Sequence, residues 1–199
     1  IKEESDKEIN FLGVAVVFLN ENCLLANFEK IFNTELKLRG FKLVHTRSVP
    51  VNSEFLGLRA AKTLPQILQF YIDSTDTHRD INTNENDIVK KLYLAKRLTE
   101  ARINCHFASL STQLISYKGM LTPENLVNFY PDLNHKELKA SHSLFHQRFS
   151  TNTFPEWHLV QPFNHLAHNG EINTIEGNRN WAQAKRKMYY LDSLKELQA

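Results

Sequence analysis

Apolar residues in the first third of the chain follow a strand–helix–strand pattern. The continuous apolar run at 11–19 is rich in Val and predicts a buried strand. Apolar residues at helical spacing over 23–39 predict a helix, and Gly40 is of the residue type that commonly ends one. Alternation over 41–50 predicts a second strand that a proline closes, and 65–72 predicts a third.

The middle of the chain changes from a polar loop to a helix and then to short apolar runs. Residues 73–86 are polar without periodicity, which predicts a mobile surface loop. The strongest helical pattern covers 87–103. Two alternating runs at 106–111 and 113–121 predict a hairpin, and a proline at the start of 122–130 predicts a short helix there.

The last third combines two further strand patterns with a terminal helix. Residues 143–150 and 163–170 are predicted to be strands, and apolar spacing from Gly177 onward predicts a helix. No internal repeat or interdomain linker is visible, so the sequence predicts a single domain. Mixed helices, strands and hairpins favour an α+β architecture.

Composition excludes several classes of protein. The chain of 199 residues has 24 Lys+Arg against 22 Asp+Glu, and this net charge of +2 argues against electrostatically driven nucleic-acid binding. No apolar run approaches the ~20 residues of a membrane span. Two cysteines, Cys23 and Cys105, cannot form a disulfide framework, which indicates a reducing intracellular compartment. Cytoplasm and plastid are equally compatible with this composition.

Polar side chains concentrate between residues 146 and 179, around the last two predicted strands. Arg148 precedes Ser and Thr hydroxyls and the Asn152 amide, an arrangement suited to binding a carboxylate through the guanidinium fork. A structural ion pair of Arg148 beside a capping turn explains the same residues. The pattern alone leaves both interpretations open.

The dipeptide Asn169-Gly170 also has two interpretations. The Asn amide and the Gly N–H can converge on one oxygen, as in an oxyanion hole. Asn-Gly is equally typical of a tight turn.

Histidine spacing raises a metal hypothesis. His142 with His146, and His165 with His168, have ligand-like separations. The chain has no CxxC motif beside them, so hydrogen-bonded structural histidines are the simpler interpretation.

A resemblance to a known family is carried by residues 146–181, which read HQRFSTNTFPEWHLVQPFNHLAHNGEINTIEGNRNW. This stretch closely resembles the amidotransferase domain of the glutamate synthases, a class II glutamine amidotransferase with the N-terminal-nucleophile hydrolase fold. Weaker similarity extends over most of 11–190. The resemblance implies that 1–199 form the interior part of one such α+β domain, whose αββα layers are incomplete in this fragment.

The family's reaction assigns roles to named residues. The resemblance implies that L-glutamine is hydrolysed to L-glutamate and ammonia, which the whole enzyme uses for reductive amination of 2-oxoglutarate. Arg148 would bind the substrate α-carboxylate, with Thr151 and Asn152 nearby. Asn169 and Gly170 would form the oxyanion hole.

The family's nucleophile is the Cys at the start of the mature chain, whereas residue 1 here is Ile. We therefore expect this fragment to lack the nucleophile and to be inactive alone, and neither Cys23 nor Cys105 is assigned that role. The resemblance implies FMN and an iron–sulfur cluster in the full-length enzyme, with no cofactor or metal in this fragment. The expected partners are L-glutamine and the remaining synthase domains, with no nucleic acid or membrane. A non-catalytic glutamine-binding module and a metal-binding structural module remain alternatives.

Overall fold

The computed structural model describes residues 11–75, 85–151, 153–163 and 175–185. Within these ranges the chain forms four strands and five α-helices. The strands are β1 (Gly13–Leu19), β2 (Phe41–Ser48), β3 (Gln66–Ser74) and β4 (Cys105–Ser111). The helices are α1 (Leu25–Lys37), α2 (Leu58–Lys62), α3 (Glu85–Arg102), α4 (Leu126–Phe129) and α5 (Glu176–Lys185).

The four strands form one sheet in the order β2-β3-β1-β4, and each neighbouring pair is antiparallel. The register places Val16 of β1 opposite Gln69 of β3 and Ser109 of β4. A bulge follows Val16 in the pairing with β4. Helices α1 and α3 contact each other and pack on one face of this sheet. An antiparallel sheet combined with helices confirms the predicted α+β class.

Both faces of the sheet are buried, and the central strand β1 supplies side chains to each. Ala15, Val17 and Leu19 belong to the core beneath α1 and α3. Val16 and Phe18 point to the opposite face and belong to a second core. Because successive side chains of a strand alternate between faces, a strand buried on both sides has no polar positions. This explains the unbroken apolar run in the sequence.

Aromatic rings fill the core between the sheet and the two helices. Phe28 and Phe32 of α1 contact Phe70 of β3 and Phe107 of β4, with ring centroids 4.9 to 6.0 Å apart. Such pairs contribute about 0.5–1.5 kcal/mol each beyond the burial of their area. The first core is therefore held by specific ring contacts as well as by apolar burial.

Loops and short helices cover the opposite face, and Trp157 fixes one of these loops. The indole is 5% exposed and packs edge-on against Phe18 at 5.9 Å between ring centroids. Its Nε1 donates a hydrogen bond to the carbonyl of Ala60 at 3.2 Å. Gly119 lies against the same ring, where a Cβ would come 3.0 Å from Trp157 Cζ3. The segment around residue 157 is thus anchored to the second core.

Most elements predicted for the first 130 residues are present. Strands β1, β2 and β3 and helices α1 and α3 match the predicted segments within a few residues. The predicted helix over 122–130 is a 3-10 turn at Pro123–Asn125 followed by α4. Helix α5 confirms the last predicted helix as far as Lys185.

The predicted hairpin is wrong in its second half. β4 is present, but residues 113–121 leave the sheet without forming a strand. The hydroxyl of Ser111 accepts hydrogen bonds from the backbone N–H groups of Gln113 at 3.0 Å and Leu114 at 3.3 Å. This local turn directs the chain across the second face of the sheet instead of alongside β4.

Two further predictions need correction at their described residues. Residues 143–150 are exposed and pair with no described strand, although their apolar pattern predicts one. Their apolar side chains therefore do not pack against a neighbouring strand of the described sheet. Asp73 and Ser74 extend β3, and Asn86 lies inside α3, so the predicted loop is shorter than 73–86. Residues 76–84, the predicted strand beyond 163 and the helix beyond 185 lie outside the described residues.

A buried carboxylate joins the two helices of the first core. Glu35 of α1 is 1% exposed and pairs with Arg39 one turn later, with 2.7 Å between Oε2 and the guanidinium. Its other oxygen pairs with Arg102 at the end of α3. The carboxylate thus links α1 to α3 and neutralises charge that burial would otherwise leave unmatched.

We predict that Glu35→Gln lowers the free energy of unfolding by about 3 kcal/mol, because the change removes the buried carboxylate that links the guanidinium groups of the two helices. Urea unfolding followed by circular dichroism measures the effect. Glu21→Gln is the matched control, since Glu21 is exposed in a turn and should change stability by less than about 0.5 kcal/mol. Equal stability of the two variants would contradict the structural role of Glu35.

We predict that Gly119→Ala destabilises the fold by about 2 kcal/mol through overpacking against Trp157. The added Cβ would lie 2.6 Å from Leu121 Cδ2 and 3.0 Å from the indole. Gly57→Ala is the control, because no atom lies within 4 Å of its added Cβ, and should cost less than about 1 kcal/mol. Urea unfolding followed by tryptophan fluorescence compares the two, and a Gly119 variant as stable as the control would refute the contact.

Candidate functional site

Two of the five predicted site residues lie in the described part of the polar segment, and both are exposed. Arg148 and Thr151 lie in an irregular stretch over 139–151 with exposed side chains. The other three predicted site residues, Asn152, Asn169 and Gly170, lie outside the described residues. The structure therefore does not bring the predicted site residues together within its described part.

Arg148 has no protein partner in the part of the chain that the structure describes. Its guanidinium makes no ion pair with any carboxylate there. The alternative that Arg148 serves a structural ion pair consequently finds no support among these residues. An exposed guanidinium without an internal anion retains both edges of its fork for a ligand.

The stretch that follows Arg148 is fixed to the body of the domain at two points. Phe154 lies beneath the guanidinium of Arg59 in α2, with 5.1 Å between Arg59 Cζ and the ring centroid. Trp157 enters the second core as described above. The motif is thus exposed around residue 148 and anchored to the second core at residue 157.

Both thiols of the chain are held in their protonated form. Burial, together with nearby Glu100 and Cys23, raises the pKa of Cys105 to about 12. Burial also raises the pKa of Cys23. A nucleophilic cysteine requires a lowered pKa from a cation or helix N-terminus, so both sites lack the environment of an activated thiol.

A buried lysine is a feature that the sequence patterns did not single out. Lys118 is 3% exposed, and its Nζ donates to the carbonyl of Val160 at 2.9 Å. Nζ also lies 3.1 Å from Nε2 of His106 and 5.1 Å from the ring centroid of Phe163. Burial and, to a lesser extent, the positive charge of Lys96 lower the pKa of Lys118 to about 8. The available sequence signal was a lysine within the apolar run at 114–121.

A polar network lines a groove of about 1100 Å³ on the second face of the sheet. Arg47 pairs with Asp132, and its Nε donates to Gln69 Oε1 at 2.8 Å. The hydroxyl of Tyr117 donates to the same Asp132 carboxylate at 2.9 Å, and Tyr71 donates to Gln69 at 3.0 Å. Each polar group here has an internal partner, which is typical of a structural network.

The metal hypothesis gains no ligand cluster from the described residues. Within them, no three His, Cys, Asp or Glu side chains are grouped so that they could hold a metal ion. His142 and His146 are exposed, and His165 and His168 lie outside the described residues. Over the same described ranges, no helix is long and apolar enough to cross a membrane.

Comparisons with known proteins agree with the motif. The family model for class II glutamine amidotransferases matches residues 2–199. The chain is 39% identical over 186 residues to the chloroplastic ferredoxin-dependent glutamate synthase of Spinacia oleracea, covering 87% of this chain and 11% of that protein. It is 37% identical over 190 residues to the glutamate synthase [NADPH] large chain of Bacillus subtilis, covering 92% and 12%.

A third relative is the glutamate synthase [NADH] of Saccharomyces cerevisiae, 38% identical over 165 residues, with 81% of this chain and 8% of that protein covered. The chain spans about a tenth of the length of these curated relatives. The family match covers nearly all of the chain, and its similarity to three synthases exceeds a third of the aligned residues. The chain belongs to the class II glutamine amidotransferases, as a glutamine amidotransferase domain of the glutamate synthase type.

Proposed function

We propose that this chain forms the substrate-holding part of a glutaminase site, in which L-glutamine is hydrolysed to L-glutamate and ammonia. The observation that carries the proposal is the motif at 146–181, within a chain that the amidotransferase family matches throughout. The ammonia would serve the reductive amination of 2-oxoglutarate elsewhere in a synthase of this type. L-Glutamine and the other domains of such a synthase are the proposed partners.

Arg148 is the proposed receptor for the α-carboxylate of glutamine. Its exposure and its lack of an ion pair in the described residues support this role. A bidentate guanidinium–carboxylate contact fixes the orientation of the substrate as well as binding it. Thr151 and Asn152 are proposed to lie beside the bound substrate, where hydroxyl and amide groups can complete its hydrogen bonds.

Asn169 and Gly170 are the proposed oxyanion hole. Attack on the side-chain amide places negative charge on the carbonyl oxygen, and two N–H donors stabilise it most when their positions are fixed in advance. The Asn side-chain NH2 and the Gly backbone N–H are such donors, and glycine offers no Cβ to obstruct the substrate. The role follows from the motif and from the family of the chain.

The nucleophile is proposed to be a thiol outside these 199 residues. A γ-glutamyl thioester forms on that thiol as ammonia leaves, and water then releases glutamate and restores the thiol. The raised pKa values of Cys23 and Cys105 support their exclusion from this role. We accordingly propose that the chain alone has no glutaminase activity.

The cofactors that the resemblance implies are proposed for other parts of a synthase. An iron–sulfur cluster takes several cysteine thiolates, whereas this chain contains two cysteines with raised pKa values. Its residues do not fit such a cluster, and no residue of the motif is assigned to FMN. The two free cysteines support the proposal of a reducing intracellular compartment.

The role of the motif is tested in the polypeptide that the gene encodes. Arg148→Lys should raise KM for glutamine by more than about tenfold with a smaller change in kcat, because lysine lacks the bidentate fork.

Asn169→Ala should lower kcat by roughly 100- to 1000-fold through loss of an oxyanion donor. Steady-state ammonia release measures both parameters.

Arg97→Lys is the matched control, since Arg97 is an exposed cation of α3 that pairs with Glu100. It should leave both kinetic parameters within about twofold of the parent. The proposed roles fail if Arg148→Lys behaves like this control or if Asn169→Ala keeps full kcat. Ammonia release by the purified 199-residue chain, abolished by Cys23→Ala or Cys105→Ala, would overturn the assignment of the nucleophile.

A further inference from the structure

A cleft of about 490 Å³ opens beside the edge of the sheet. Its polar lining comes from the end of β1, from α2, from the start of β4 and from the turn at Trp157–Leu159. Neither Arg148 nor Thr151 lines it. The volume suits a small molecule of a few to a dozen non-hydrogen atoms.

The described lining of this cleft carries one cation and one carboxylate, and the buried ammonium of Lys118 lies behind it. Arg59 lines one wall, and its guanidinium stacks on Phe154 instead of pairing with a carboxylate in the described residues. His106 and His158 line the other walls. Glu156 is the one carboxylate among the lining residues, and its oxygen lies 3.3 Å from Nδ1 of His158.

A buried cation stands directly behind His106. Lys118 contacts Val160, His106 and Phe163, and no carboxylate of the described residues pairs with it. Burying an ammonium without a counter-charge costs several kcal/mol in general. A nearby anion that enters the cleft would compensate that charge through the intervening imidazole.

The contact with Lys118 fixes the hydrogen-bonding role of His106. Because an ammonium has no acceptor, Nε2 of His106 must offer its lone pair and the ring proton must sit on Nδ1. Burial, together with nearby Lys118, Lys96 and His158, lowers the pKa of His106 to about 3, so the ring is neutral at pH 7. Nδ1–H is thus a donor polarised by the lysine behind it, with no acceptor among the described residues.

We propose that this cleft binds a small carboxylate or phosphate anion, held by the guanidinium of Arg59 and the Nδ1–H of His106, with Lys118 supplying the compensating charge. The exposed Asn20 and Asn104 amides on the rim can complete the hydrogen bonds of such an anion. Neither of the two described residues assigned to glutamine, Arg148 and Thr151, belongs to its lining.

Calorimetric titration of the protein with glutarate and with inorganic phosphate tests the site at low ionic strength and pH 7. Saturable binding of glutarate alone identifies a carboxylate site, binding of phosphate alone a phosphate site, and binding of both a general oxyanion site. Arg59→Gln should weaken binding by about tenfold or more. Lys62→Gln is the matched control, since it removes one positive charge from the same helix outside the cleft and should change affinity less than about twofold.

The pH dependence provides a second readout. Lys118 contacts His106 of β4 and lies near Lys96 of α3, and its pKa of about 8 means that it loses its charge between pH 7 and pH 9. Affinity for the anion should therefore fall as the pH rises through 8, and Lys118→Met should remove that dependence.

Three outcomes would overturn the proposal. The first is that neither anion binds at concentrations up to about 10 mM. The second is that Arg59→Gln and Lys62→Gln weaken binding equally, which would indicate nonspecific attraction by net charge. The third is that Arg148→Gln abolishes anion binding while Arg59→Gln does not, which would place the anion at the proposed glutamine site. The last result would leave the proposed glutaminase function intact and remove only this inference.

Discussion

The fold depends on burying β1 and β3 on both faces of the sheet. Helices α1 and α3 cover one face with a regular layer, whereas the other face is covered by loops. Loops carry unpaired backbone groups, so this second cover needs side-chain hydrogen bonds to hold it in place. The indole of Trp157 and the ammonium of Lys118 supply such bonds, to the carbonyls of Ala60 and Val160. One face is thus covered by regular helix packing, whereas the loops on the other face depend on polar anchors.

The same anchors hold part of the motif at 146–181 in place. Lys118 and Trp157 fix the chain around 157–160, which is the approach to the residues proposed as the oxyanion hole. Arg148 lies on the far side of Trp157, in an exposed stretch. A carboxylate receptor must accept a substrate from solvent, whereas oxyanion donors act best when they are fixed before the reaction begins. The exposure of Arg148 fits the first of these requirements.

Sequence patterns predicted the elements whose side chains meet a regular surface. The continuous apolar run identified β1 because both of its faces are buried, and helical spacing identified α1 and α3 because each packs on the sheet. The patterns failed at 113–121, where the hydroxyl of Ser111 turns the chain, since apolar alternation does not encode the direction of a loop. They also missed Lys118, because its burial depends on His106, Val160 and Phe163 from distant parts of the chain. The proposed role of Arg148 comes only from the family motif. Spacing alone does not distinguish a carboxylate receptor from an arginine beside a capping turn.

The relatives differ in the electron donor that their names give, yet each is similar to this chain. Their names specify ferredoxin, NADPH and NADH, yet each is similar to this chain at 37–39% identity. The donor in each name differs, whereas the identity to this chain stays nearly the same, so the sequence of this region does not follow the electron donor. The proposed release of ammonia from glutamine uses a carboxylate receptor, two oxyanion donors and a thiol, and none of these groups exchanges electrons with a donor. The residues proposed for the first two of these roles lie within the 36 residues of the motif at 146–181, so the reaction proposed for this region is independent of the electron donor.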